Sequence, residues 1–127
     1  MEIDQATIIA EVTAACDEYE RALMTNDLDA MDALFLPAAT TVRYGVGENL
    51  YGIDEIRAFR QQRPGGSPQR QVLRREITAY GADMATSNLE FQRDGSDRIG
   101  RQSQTWLRTN EGWKIVAAHV SLMGLTH

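Results

Sequence analysis

The sequence predicts an α+β fold in which helices lead and a curved sheet trails. Three observations predict it. Residues 4–25 repeat apolar side chains every three or four positions, the period of a helix. From about residue 71 onward the chain alternates and breaks at regular turn signals, the pattern of successive strands. The order of elements is α-α-β-α-β-β-β-β, with helices segregated ahead of strands, which favours α+β over an alternating parallel sheet.

The first helix is carried by Ile8, Ile9, Val12, Ala15, Cys16, Tyr19, Ala22 and Leu23, with Asp4 as the expected N-cap. Tyr19 lies on this apolar stripe. There it is either a core tyrosine whose hydroxyl finds a carbonyl, or a phenol aimed into a cavity. Cys16, one turn earlier, reads as small core filler. Asn26-Asp27 ends the first helix and caps a short second one bearing Leu28, Met31, Leu34 and Phe35. Leu36-Pro37 closes it, because a residue before proline avoids helical dihedrals.

The first strand is expected over 40–46, with Arg43 at its centre. A mid-strand arginine either points to water or into a cavity. Turned inward it needs a partner, and its planar fork suits a carboxylate. Residues 45–49 read as a flexible crossing into a third helix over 53–63. There Ile53, Ile56 and Phe59 are expected to face the core. Arg57, Arg60 and Arg63 are expected on a solvated face, although Arg60 and Arg63 also qualify as residues that draw an anion in. Pro64 to Pro68 is a stop and a loop. Strands follow over 71–80 and 84–93, joined by Gly81-Ala82-Asp83.

The last hairpin organises the rest. Its arms are Gly100–Leu107 and Trp113–Met123, with Asn110-Glu111-Gly112 read as a three-residue loop. Alternation puts Val116, Ala118, Val120 and Leu122 on one face of the second arm. Trp113, Ile115, Ala117, His119 and Ser121 fall on the other. Neither face is polar, so both need cover: helices on one side and a second subunit on the sheet back. Gln102, Gln104 and Trp106 are expected on the face of Val116, Ala118 and Val120. Amides among apolar neighbours suggest a cavity lining.

Composition narrows the function classes. The chain has 127 residues, which fits one domain spanning 1–127. Its net charge of −5 argues against a nucleic-acid backbone as partner, though local charge still admits small anions. A lone cysteine precludes an intramolecular disulfide or a cysteine zinc cluster, and two histidines, one of them the final residue His127, do not build a multi-histidine metal centre. No signal segment and no membrane span of ~20 apolar residues are evident, so a cytoplasmic location is expected. There is no phosphate loop and no nucleophile elbow. His119 reads as a core or interface histidine, with lone acid–base work as its alternative.

These residues resemble the nuclear transport factor 2-like superfamily, also called SnoaL-like: cone-shaped proteins with a strongly bent sheet wrapped on helices around a pocket. The run Trp113–Ser121 is similar to that superfamily's closing strand. The chain resembles the AtzH-like family more closely, a family that includes oxalurate catabolism proteins. The matching stretches are Glu18-Tyr19-Glu20, Thr41-Val42-Arg43-Tyr44-Gly45-Val46, Glu48-Asn49-Leu50-Tyr51-Gly52-Ile53 and Ile99–Trp106. The resemblance implies a decarboxylating amidohydrolase that converts 1,3-dicarboxyurea to allophanate in bacterial cyanuric acid catabolism, without cofactor or metal. It carries a first-helix tyrosine and a first-strand arginine onto Tyr19 and Arg43. In that scheme Arg43 anchors a carboxylate and Tyr19 donates a proton or orients water, while Gln102, Gln104, Trp106 and Tyr51 line the substrate site.

Two other classes compete. One is a non-catalytic module that binds a carboxylated urea or supports a partner amidase. The other is isomerase or dehydratase chemistry on a larger apolar ligand, which would call for an acidic residue inside the cone that the pattern does not place.

Overall fold

The computed structural model describes residues 1–124; the terminal His127 lies outside them. Three helices, α1 (Ala6–Met24), α2 (Leu28–Ala33) and α3 (Ile53–Gln62), pack into the hollow of a six-stranded sheet. The strands are β1 (Val42–Tyr44), β2 (Asn49–Tyr51), β3 (Arg70–Tyr80), β4 (Met84–Arg93), β5 (Ile99–Thr109) and β6 (Gly112–Leu122). Their spatial order is β2-β1-β6-β5-β4-β3, with β1 parallel to β6 and every other pair antiparallel.

On α1, Ile8, Val12, Cys16, Tyr19 and Leu23 are buried, at spacings of four, four, three and four, so the expected stripe is the one that packs. Asp4 is not its cap. The helix starts after Gln5, and Asp4 takes a left-handed φ of 56°. There its N–H donates to the Ala79 carbonyl and its carboxylate accepts from the Ala79 N–H, both at 2.9 Å, which clips the N-terminus to β3. Asp27 does cap α2, accepting from Ala30 N–H at 3.1 Å.

Two differences from the expected strands matter. The crossing at 45–49 is a tight turn, closed by Gly45 N–H to the Glu48 carbonyl at 2.9 Å. It returns the chain as β2, an edge strand beside β1, so the observed order gains a strand. The last hairpin turns on two residues, Asn110 and Glu111, because Thr109 pairs with Gly112. In addition a bulge sets Thr105 against Ala117 but Trp106 against Ile115, leaving Val116 unpaired. The bulge flips the pleat. Trp113 and Ile115 before it, and Ala118 and Val120 after it, all face inward. The expected pairing of Val116 with Ala118 and Val120 therefore fails. So does the premise of two apolar faces behind the second subunit. What stands on the sheet back is an aromatic group: Tyr44 edge-on to Tyr51 at 5.9 Å and to His119 at 5.6 Å.

The bulge in β6 and a second between Val72 and Arg74 in β3 bend the sheet around α1. The hollow holds two apolar clusters. The larger joins α1, α2 and α3 to Trp106, Trp113 and Ile115; the smaller is Leu89, Phe91 and Val120. Beneath the smaller one Gly100 carries the flat of the Phe91 ring, which occupies the space a β-carbon would need. Phe91 is wholly buried, so the ring has nowhere to retreat. Gly100→Ala is expected to cost about 1–3 kcal/mol through overpacking, read as a lowered midpoint in thermal or urea denaturation.

Candidate functional site

Strand register builds the site. Leu50, Arg43, Ala118, Gln104, Ser87 and Ile77 stand side by side across all six strands on the concave face. Neighbouring strands are about 4.8 Å apart, so the Arg43 and Gln104 backbones are roughly 10 Å from each other. This row, with Gln102 in the next, is a polar band through an otherwise apolar interior; Arg43, Ser87, Gln102 and Gln104 are each at least nine-tenths buried.

Arg43 therefore points inward. Its Nη1 donates to Glu48 Oε1 at 3.1 Å, and its guanidinium lies 5.7 Å from the centre of the Phe59 ring. Gly45 makes this pairing possible: a β-carbon there would sit in the space the Glu48 carboxylate occupies as it folds back against β1. Tyr19 comes from the opposite wall. Only 4% of it is exposed, and its ring tilts against Phe35 at 6.2 Å. It lines a small cavity with Cys16, Glu20, Arg75, Ser87, Leu89, Gln102 and Gln104. Arg43 is not on that cavity's wall. Arg63 shares the Phe59 ring with Arg43, and burial first and the Arg43 cation second push its guanidinium below the ordinary arginine range.

The amides divide. Gln102 Oε1 accepts from Arg70 Nη2 at 3.1 Å, and Arg70 in turn grips Glu20 through two hydrogen bonds of 2.9 and 2.7 Å. Gln104 Oε1 accepts from Ser87 Oγ at 3.1 Å, and Ser87 Oγ accepts from the Trp106 indole N–H at 3.3 Å. That chain fixes which end of Gln104 is free. Its Nε2 is buried with no partner. Trp106, wholly buried, thus orients Gln104 through Ser87. Among the described residues the other buried, unpartnered side-chain polar atoms are Arg60 Nη2 and Arg63 Nε. All of them are donors.

One expected lining residue is elsewhere. Tyr51 is 53% exposed on the convex face, its hydroxyl 3.1 Å from that of Tyr44. His119 is exposed beside them. Arg60 departs from the expected solvated face: it is 5% exposed, paired with Asp32, and stacked 4.6 Å from the Phe35 ring. Ile53, Ile56, Arg60 and Arg63 form one helical stripe, at spacings of three, four and three. That spacing was the signal for both arginines. Glu48, Ser87, Arg70 and Arg93 also escaped sequence reasoning. Of these only Ser87 left a trace, as the polar member of an inward series with Ala85, Leu89 and Phe91.

Burial pushes the Cys16 thiol up, so it stays protonated and serves as packing. Among the described residues no group of three metal-ligating side chains comes together, and no helix is long and apolar enough to cross a membrane.

A bent sheet closed over helices, with a buried polar band aimed into the hollow, is the nuclear transport factor 2-like fold. A protein of that superfamily from Salmonella enterica superposes with a TM-score of 0.79 at 23% identity, covering 96% of this chain and 95% of its own. Within that class the chain belongs to the AtzH-like family, which matches residues 1–126. It is similar to a protein of unknown function of the DUF3225 family from Pectobacterium atrosepticum, at 56% identity and a TM-score of 0.93 over 96% of this chain and 95% of that one. It is also similar to a cystatin-like fold protein from Burkholderia xenovorans, at 47% identity and a TM-score of 0.94 over 99% of both chains. No curated protein matches it.

Proposed function

We propose that the protein is a decarboxylating amidohydrolase acting on 1,3-dicarboxyurea. The observation that carries the reading is the donor excess: among the described residues the buried polar side-chain atoms without partners are Gln104 Nε2, Arg60 Nη2 and Arg63 Nε, with no acceptor among them. A buried donor left unmade costs about 1–3 kcal/mol, so an interior with donors to spare, Gln104 Nε2 on the residue that lines the Tyr19 cavity, suits a ligand rich in oxygen. A urea flanked by carboxylates is such a ligand.

In this reaction the bond between one urea nitrogen and its carboxyl carbon breaks. The electron pair stays on nitrogen, which takes a proton, and the carboxyl group departs as carbon dioxide. The dianion plus one proton gives the allophanate monoanion plus carbon dioxide, so charge and atoms balance. Holding the departing carboxylate by a cation would stabilise the ground state more than the transition state. Arg43 therefore anchors the carboxylate that is retained, Gln104 Nε2 takes the urea carbonyl, and the departing group faces the Tyr19 end among Cys16 and Leu89. Tyr19 supplies the proton directly or through a water it orients, and bulk water restores it.

One observation favours a second reading, a binding or accessory module for a partner amidase: Arg43 does not line the cavity that Tyr19 lines. The purified chain alone, given 13C-carboxyl-labelled dicarboxyurea, separates the two. Allophanate and carbon dioxide forming faster than in protein-free buffer supports the enzyme; identical rates leave the module.

A further inference from the structure

Two phenylalanines in the hollow each carry two arginines. The guanidiniums of Arg43 and Arg63 lie 5.7 and 5.2 Å from the centre of the Phe59 ring. Those of Arg70 and Arg93 lie 4.4 and 5.8 Å from the centre of the Phe91 ring. In each pair one cation is matched by a carboxylate: Arg43 by Glu48 and Arg70 by Glu20. Arg63 and Arg93 have no carboxylate partner among the described residues. The two pairs also share one electrostatic field, since Arg70, Glu48 and Arg43 all bear on Arg93. The hollow thus holds four guanidiniums against two carboxylates in a chain whose net charge is −5. An acidic protein that stacks unmatched arginines on inward-facing aromatic rings is arranged to hold an anion beside them.

The two unmatched residues differ in depth. Arg63 Nε is buried and makes no hydrogen bond, so its fork is partly unused on the inner side. Burial first, and the neighbouring Arg43 second, push its guanidinium below the ordinary arginine range. Burial and then Arg70 do the same to Arg93. Both remain cations at neutral pH. Each shift is the repulsion and desolvation that a bound carboxylate would relieve.

We propose that Arg63 and Arg93 are the anion-capturing residues of this hollow, with Arg63 sharing the retained carboxylate of the ligand with Arg43 and Arg93 drawing it in past Phe91. This rests on the preceding reading only in taking the ligand to be a carboxylated urea; it does not require catalysis. Arg43, already engaged by Glu48, then holds the carboxylate with one side of its fork while Arg63 closes the other.

N-carbamoylglycine tests it. This stable ureido acid has a urea and one carboxylate but no N-carboxylate to lose. N-Methylurea is its uncharged counterpart. Calorimetric titration of the full chain should show N-carbamoylglycine binding that weakens about tenfold or more in Arg63→Gln. Arg63→Lys, which keeps the charge but not the fork, should recover part of the loss. Arg93→Gln should weaken binding less and flatten its dependence on salt. N-Methylurea binding should be unchanged in all three variants, and circular dichroism should show each folded. No binding of N-carbamoylglycine by the unaltered protein at about ten times a millimolar Kd would overturn the proposal. So would equal affinity in Arg63→Gln. Arginine-dependent binding without turnover of dicarboxyurea would keep this inference and sink the enzymatic one; turnover untouched by Arg63→Gln would do the reverse.

Discussion

Tyr19→Phe is expected to leave a folded protein that still binds ligand but turns over dicarboxyurea about 10²–10⁴-fold more slowly, the contribution of one positioned proton donor. The substitution is clean because the ring does the packing. Tyr19 is buried on α1 and tilted against Phe35, and phenylalanine keeps both relations. Removing the hydroxyl costs stability on the order of 1 kcal/mol at most, since one net hydrogen bond is worth about that much. The loss should fall in kcat and leave KM nearly unchanged, because the phenol acts as the C–N bond breaks and the ground state is gripped elsewhere. Quenched-flow or NMR measurement of allophanate formation reads both constants. Turnover equal to the unaltered protein would remove Tyr19 from the chemistry and leave the binding-module reading in its place.

The reason the depth of Tyr19 was visible in the sequence, and that of Arg63 was not, is physical. Helical periodicity places a side chain on a face whatever its chemistry, so the apolar spacing around Tyr19 found its depth correctly. The stripe of Ile53, Ile56, Arg60 and Arg63 has equally regular spacing, but buried arginines are uncommon without partners, which favoured the solvated assignment. The partner that makes Arg60 tolerable is Asp32, 28 residues earlier on α2, a contact no local pattern reveals. The facing of Arg43 was likewise undecided until its partner was known. Glu48 reaches it only because the chain doubles back at Gly45 to form β2, and the glycines there read equally well as a loose crossing. On β6 the sequence is apolar at nearly every position, so alternation carries no register and the bulge at Val116 leaves no mark. Gln102 and Gln104 survived as interior residues because β5 alternates strongly up to its own side of that bulge. Tyr51 was misplaced for a different reason: β2 read as a crossing, so nothing showed that Leu50 turns inward and Tyr51 outward.

The second large effect concerns Arg43 and needs two variants to interpret. Arg43→Gln alone removes the cation but leaves the Glu48 carboxylate, its side chain 23% exposed, against a buried strand. An unmatched half-buried charge of this kind destabilises, here by roughly 1–3 kcal/mol once solvent screening is allowed for, less than the cost for a fully buried pair. Lost activity in that variant would therefore be ambiguous. Arg43→Gln combined with Glu48→Gln removes both charges and leaves two amides able to hydrogen-bond each other, so much of the lost stability should return. Binding of a carboxylated ligand should not. If Arg43 anchors the ligand, both variants lose affinity for N-carbamoylglycine by about tenfold or more while only the single variant melts markedly lower. If Arg43 is purely a partner for Glu48, the double variant recovers stability and function together, and the anchor role is gone. The two measurements, denaturation midpoint and ligand affinity, move apart in one case and in step in the other, which is why the pair of variants decides what the single substitution does not.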